Sequence, residues 1–138
     1  MGYEETASEG NVHRYRIKGE GNGADFVDIE VLPLMNAARQ GAGSVHHVAF
    51  AVDDRAAQLA VREELTSAGV PITPVIDRDY FYAIYFRTPG GVLFEIATNE
   101  PGFDRDEDRA HLGEALKLPS QHEHLRPHLE QTLQPIEA

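Results

Sequence analysis

A single carboxylate, Glu95, stands in the middle of an apolar run at residues 92–98 (VLFEIAT). If that run is a strand, alternate side chains face opposite sides, and Glu95 shares a face with Leu93 and Ala97. A carboxylate in such a setting is costly to bury unless it is paired, hydrogen-bonded or metal-bound. The fold must therefore bring Glu95 a partner. Two adjacent histidines, His46 and His47, open another apolar run at residues 45–52 (VHHVAFAV). On a regular strand His47 shares a face with Val45 and Ala49. His46 then faces the other way and reaches the same site only where the strand bends.

The residues between these runs supply the rest of a module. Asp53 or Asp54 is placed to cap a helix, in which Ala57, Ala60, Val61, Leu65 and Ala68 recur at near-helical spacing. Gly69 is a natural stop. Residues 70–76 (VPITPVI) read as an edge-like strand, because two prolines cannot donate to a ladder. Residues 80–87 (YFYAIYFR) form an aromatic-rich strand. Thr88-Pro89-Gly90-Gly91 then places Pro and Gly as a type II turn prefers. The order is β-α-β-β-β.

The chain before this block reads as strands without a helix, at residues 3–9, 11–18 and 24–32, with a GEGNG turn at 19–23 and Pro33 as a stop. On the second of these, Val12, Arg14, Arg16 and Lys18 oppose His13, Tyr15 and Ile17. On the third, Phe26 and Asp28 oppose Val27, Ile29 and Val31. These strands resemble the last three of the later block, an incomplete repeat at a period of roughly 60 residues. The predicted fold class is α+β. Residues 1–138 form one domain, with a partial βββ module at 1–33, a linker at 34–43, a full βαβββ module at 44–99 and a helical tail at 100–138. In the tail, DEDRAHLGEALKLP predicts a short helix ending before Pro119, and RPHLEQTLQ another with Pro127 in its first turn. His122, His124 and His128 lie here without an apolar shell and are read as solvated.

Composition narrows the function classes. With 23 acidic and 12 basic residues the formal charge is −11, which repels nucleic-acid phosphates, and no basic stripe reverses it locally. No apolar run approaches the ~20 residues of a membrane span, and no secretory signal is visible. The expectation is a cytoplasmic protein. There is no cysteine, so a metal must take nitrogen and oxygen ligands. One imidazole and one carboxylate from neighbouring strands make two thirds of the two-histidine, one-carboxylate face that holds non-haem Fe(II) in oxygenases.

The βαβββ block resembles a module of the vicinal oxygen chelate superfamily, which includes glyoxalase I, extradiol dioxygenases (the dihydroxybiphenyl dioxygenase type) and bleomycin-resistance proteins. More narrowly, VHHVAF, the run DRDYFYAIYFRTPGGVLFEIATNEPGF and the following LGEALKLP are similar to the C-terminal half of glyoxalase-family ring-cleaving dioxygenases that act on hydroquinones. This resemblance implies His47 and Glu95 as metal ligands, with His46, Arg78 and Tyr85 as catalytic or substrate-contacting residues. It implies Fe(II) as cofactor, with Mn(II) or another divalent metal as alternatives, and a small aromatic substrate with O₂ as partners.

Competing readings of the same residues stand beside it. His47 can be a core histidine bonded to a carbonyl, and Glu95 can pair with Arg87. Tyr85 can be ordinary sheet packing. Arg78 can be solvated beside Asp77 and Asp79. The family's third ligand is a histidine from an N-terminal domain, and His13 and Asp28 are the weak substitutes within this chain. The resemblance therefore implies a polypeptide that is a poor catalyst alone. It would act as a homodimer, since unpaired strand edges seek partners, or with a missing N-terminal half. Two other functions share the pattern: a glyoxalase-type metal-dependent lyase or isomerase, which takes a second carboxylate, and a metal-free small-molecule binding module.

Overall fold

The computed structural model describes residues 2–19, 25–33 and 40–134, and the chain divides into two compact units, residues 1–42 and 43–138. The GEGNG turn beyond Gly19 and linker positions 34–39 lie outside the described residues. The first unit is an antiparallel sheet in the order β1 (Tyr3–Glu9), β2 (Val12–Ile17), β3 (Phe26–Glu30). From His13 to Ile17 the burial follows the predicted alternation, with Arg14 and Arg16 exposed and His13, Tyr15 and Ile17 half-buried, but Val12 is half-buried too and Ile29 on β3 is exposed. Arg14 lies opposite Asp28 in register, and its guanidinium holds both carboxylate oxygens at 2.7 Å. That hydrogen-bonded pair keeps the Asp28 carboxyl below the usual carboxylate range.

The second unit realises the βαβββ order with β4 (Val48–Val52), α1 (Arg55–Ser67), β5 (Ile76–Asp77), β6 (Phe81–Arg87) and β7 (Leu93–Pro101). Its sheet runs β4-β7-β6-β5, with β4 parallel to β7 and the other pairs antiparallel. The architecture is thus α+β, as the strand and helix signals predict. Asp54 caps α1, its carboxylate accepting the Ala57 N–H at 2.8 Å. At the other end Val70 N–H bonds Leu65 C=O and Gly69 N–H bonds Thr66 C=O. Gly69 takes φ +76°, the left-handed conformation that completes this Schellman stop.

One face of the sheet packs on the helix. Ile84, Phe86 and Ile96 are the buried centre, joined by Phe50, Val52, Val61, Leu65 and Phe94. Ala60 is exposed, and Gln58 occupies the helix face instead, fully buried. Its Nε2 donates to the carbonyls of Tyr82 and Ile96 at 2.7 and 2.8 Å. A polar side chain thus ties α1 to two adjacent strands, which periodicity in apolar residues does not reveal.

Several expected elements differ. The strand expected at 70–76 shrinks to β5 and one isolated bridge, Ile72 to Phe86, because Pro71 and Pro74 remove ladder donors. Thr73 compensates: its N–H donates to Tyr85 C=O and its hydroxyl accepts from Tyr85 N–H, each at 3.0 Å. The turn after β6 carries its positive φ at Gly91 (+84°) rather than at Gly90, so it is not type II. Residues expected as a helix over 106–118 form only a 3-10 turn at Arg109–His111, since no apolar stripe anchors a longer helix. The second expected tail helix is present as α2 (Arg126–Thr132). No described helix is long and apolar enough to cross a membrane.

Candidate active site

The face of the second sheet opposite α1 carries the charged residues. Register sets Ala49, Glu95 and Tyr85 abreast on β4, β7 and β6, so their side chains share that face. Glu95 is 3% exposed, and its Oε2 lies 2.8 Å from His47 Nε2. Arg87, the other partner considered for Glu95, donates instead to Gly91 C=O at 2.9 Å.

The two histidines precede β4 rather than lying within it, which corrects the expected strand at 45–52. Outside the regular strand they need not alternate. Their Nδ1 atoms stand 2.8 Å apart, with the rings edge to face at 5.1 Å. One Nδ1 must carry a proton and the other accept it. If His47 Nε2 offers its lone pair to a cation, the proton moves to His47 Nδ1 and His46 accepts it. This is the outer-shell bond that orients a ligating imidazole.

Tyr85 meets His47 edge to face at 6.0 Å. Arg78 Nη2 donates to the Tyr85 hydroxyl at 3.3 Å, and the guanidinium sits 5.5 Å from the ring centroid. Burial chiefly raises the Tyr85 pKa; Arg78 opposes this and Glu95 adds to it. The phenol therefore stays protonated at neutral pH and is available as a donor. The flanking aspartates are engaged elsewhere: Asp77 accepts from Asp79 N–H, and Asp79 is held by Arg105 and Ser120. The structure thus gathers His46, His47, Arg78, Tyr85 and Glu95 around one cleft of about 610 Å³.

The donor set fits a divalent cation. Two ligand atoms about 2.1 Å from a shared ion and at right angles stand about 3 Å apart, so the His47 Nε2–Glu95 Oε2 contact, a 2.8 Å hydrogen-bonding distance as it stands, would need little movement to admit one. Among the described residues no group of three His, Asp or Glu is placed to hold an ion. His13 is paired with Glu5 at 3.0 Å, and Asp28 with Arg14. His122 and His124 lie in a 3-10 segment and His128 in α2.

Sequence reasoning assigned no role to the far end of the cleft, where Tyr80, Phe81 and Phe103 stand, with Ala49 and Ala97 also lining it. The alanines were legible, since they lie two positions from His47 and Glu95. The aromatic end was not, because it depends on an irregularity between β6 and β7: Phe81 pairs with Pro101 but Ala83 with Ala97. There the Thr98 hydroxyl replaces a ladder carbonyl, accepting from Tyr82 N–H at 3.0 Å and donating to Glu100 C=O at 2.7 Å. Such bulges bend a strand and re-aim its side chains.

Comparison with known proteins agrees with this architecture. Residues 4–96 match the Glyoxalase family, described as the Glyoxalase/Bleomycin resistance protein/Dioxygenase superfamily, and the chain belongs to that superfamily. It is 45% identical over 138 residues to "Putative ring-cleaving dioxygenase MhqO" of Bacillus subtilis (strain 168), covering 99% of this chain and 43% of the relative. It is 36% identical over 128 residues to the chlorohydroquinone/hydroquinone 1,2-dioxygenase of Sphingobium indicum, covering 91% and 39%. The crystal structure of a "putative dioxygenase" from Bacillus subtilis superposes with a TM-score of 0.89 at 44% identity, over 99% of this chain and 43% of that one. The chain thus spans less than half the length of these relatives.

Proposed function

We propose that the chain is the metal-holding half of an Fe(II)-dependent ring-cleaving dioxygenase acting on hydroquinone- or catechol-type aromatics. The observation that carries this is the buried Glu95 carboxylate facing His47 Nε2 at 2.8 Å beside Tyr85 and Arg78. The names of the similar proteins support the reaction and substrate class. In this reading His47 and Glu95 hold the cation, Fe(II) by preference and Mn(II) or another divalent ion as alternatives. A bound iron supplies the redox chemistry between O₂ and the aromatic diol.

The remaining residues bind, orient and move protons. Tyr85, with its hydroxyl oxygen engaged by Arg78, donates its phenolic hydrogen to a substrate hydroxyl oxygen. Arg78 adds positive charge where that oxygen becomes anionic. His46 accepts from His47 Nδ1–H and so fixes the His47 ring with its Nε2 lone pair free for the cation. The third protein ligand comes from outside the described residues, either from the remainder of a longer polypeptide or from a second copy of this chain. β4 is one of the two edge strands of the four-stranded sheet, and an edge strand suits a homodimer. Sedimentation as a monomer at micromolar concentration would reject the dimer.

Oxygen uptake tests the reading. The chain is reconstituted with Fe(II) under argon, alone and with a separately expressed N-terminal half of a full-length relative, then mixed with hydroquinone or catechol in aerated buffer. Uptake that needs the diol and rises when the second half is added supports the proposal. No uptake in the combined sample, with iron bound, rejects it.

A further inference from the structure

The cleft is chemically two-ended. The charged residues gather at Tyr85 and Glu95, and four residues back along β6, roughly 13 Å at strand rise, stands Phe81. Beside it Phe103 stacks on Tyr80, ring centroids 5.5 Å apart and planes 15° apart, and meets Phe81 at 6.1 Å. Tyr80 is 8% exposed, whereas Phe103 keeps 62% of its surface open while lining the cleft. An aromatic ring so placed gains burial only when something apolar enters.

Phe103 is also held in position. Gly102 N–H bonds Tyr80 C=O at 2.9 Å on one side. On the other, Arg105 Nη1 donates to the backbone carbonyl and to Oδ1 of Asp79, the latter at 2.6 Å. Asp79 in turn accepts from Ser120 N–H at 2.7 Å and from the Ser120 hydroxyl at 3.2 Å. Among the described residues Asp79 is the non-glycine residue with a left-handed backbone, φ +71°; that strain is tolerated because three groups hold the turn. The same turn carries Arg78, so one anchor serves both ends of the cleft.

We propose that Phe103 is a specificity-determining residue. Its open face packs against an apolar substituent on the aromatic ring of a diol whose hydroxyls lie at the His47–Glu95 end, and Asp79 is the residue that positions it. The inference rests on the substrate class given under Proposed function. It selects diols bearing an uncharged alkyl or aryl group, since the charged end and the aromatic end are separated by more than a bare ring spans.

The test compares hydroquinone with tert-butylhydroquinone, titrated calorimetrically under argon into the 138-residue chain reconstituted with Fe(II). Wild type binds the tert-butyl compound more tightly. Phe103→Ala weakens it about tenfold and hydroquinone less than twofold. Phe103→Leu restores most of the difference, and Asp79→Asn gives an intermediate ratio. The ratio between ligands is what a merely structural role would not move. Should Phe103→Ala fail to fold, the wild-type preference and Phe103→Leu decide. Equal weakening of both ligands, or no wild-type preference, overturns the shelf while leaving the diol site intact. Failure of the wild-type chain to bind either diol rejects the substrate class and this inference together.

Discussion

The two units contain comparable strands but treat a carboxylate in opposite ways. In the first, Asp28 is 42% exposed and paired with Arg14, in a sheet where no described strand residue is fully buried. In the second, Glu95 is 3% exposed and faces a histidine, in a sheet backed by α1 and centred on Ile84 and Ile96. The difference lies in what stands behind the strand. A helix packed on one face allows the other to hold a desolvated carboxylate in a fixed place, where charge interactions are strong. An exposed carboxylate answered by a guanidinium is screened by solvent and available for little else.

That contrast can be broken at several points. The largest effect is expected at the backing core: Ile84→Ala, fully buried, should destabilise the chain by about 2–5 kcal/mol. Ile29→Ala, 48% exposed in the first unit, should cost only about 0.5 kcal/mol; urea denaturation compares them. Next is Gln58→Leu, which leaves the Tyr82 and Ile96 carbonyls without their side-chain donor and should cost about 1–3 kcal/mol by the same measurement. At the site itself, Tyr85→Phe should weaken hydroquinone binding about tenfold with no change in melting temperature, read by calorimetry.

The smallest effect concerns pH. Asp79 is held below the usual carboxyl range, chiefly by the Ser120 backbone N–H. A lowered folded-state pKa contributes stability that is present above the ordinary carboxyl value and lost as pH falls through the lowered one. Amide protection factors near Arg105 and Ser120, after correction for the intrinsic exchange rate, should therefore fall selectively in acid in the wild type. In Asp79→Asn they should be low already at neutral pH.

What could be read in the sequence was local. Alternation located the strands, Asp54 and Gly69 bounded α1, and the two-residue spacing of Glu95 from Ala97 set the face. Elements that depend on distant or irregular contacts were not legible. The histidines lie ahead of β4, so the alternation of a regular strand does not fix where His46 points. Thr98 substitutes for a backbone carbonyl only because β6 and β7 shift register. Asp79 meets Ser120 across 41 positions, which no window of sequence reveals. In the tail the helix expected at 126–134 forms as α2, whereas the one expected at 106–118, without an apolar stripe, leaves only a 3-10 turn at Arg109–His111.

In the proposed function His47 and Glu95 hold a cation, and the exposed Asp28, paired with Arg14, does not. Titration of Fe(II) into the chain under argon, for wild type, His47→Ala, Glu95→Ala and Asp28→Ala, tests it most directly. Losing an outer-shell partner of a metal site costs 10–100-fold, so losing a ligand should cost more than about 100-fold. Both site variants should show that loss, with Asp28→Ala binding as wild type does. Equal Fe(II) affinity in all four proteins would contradict the account.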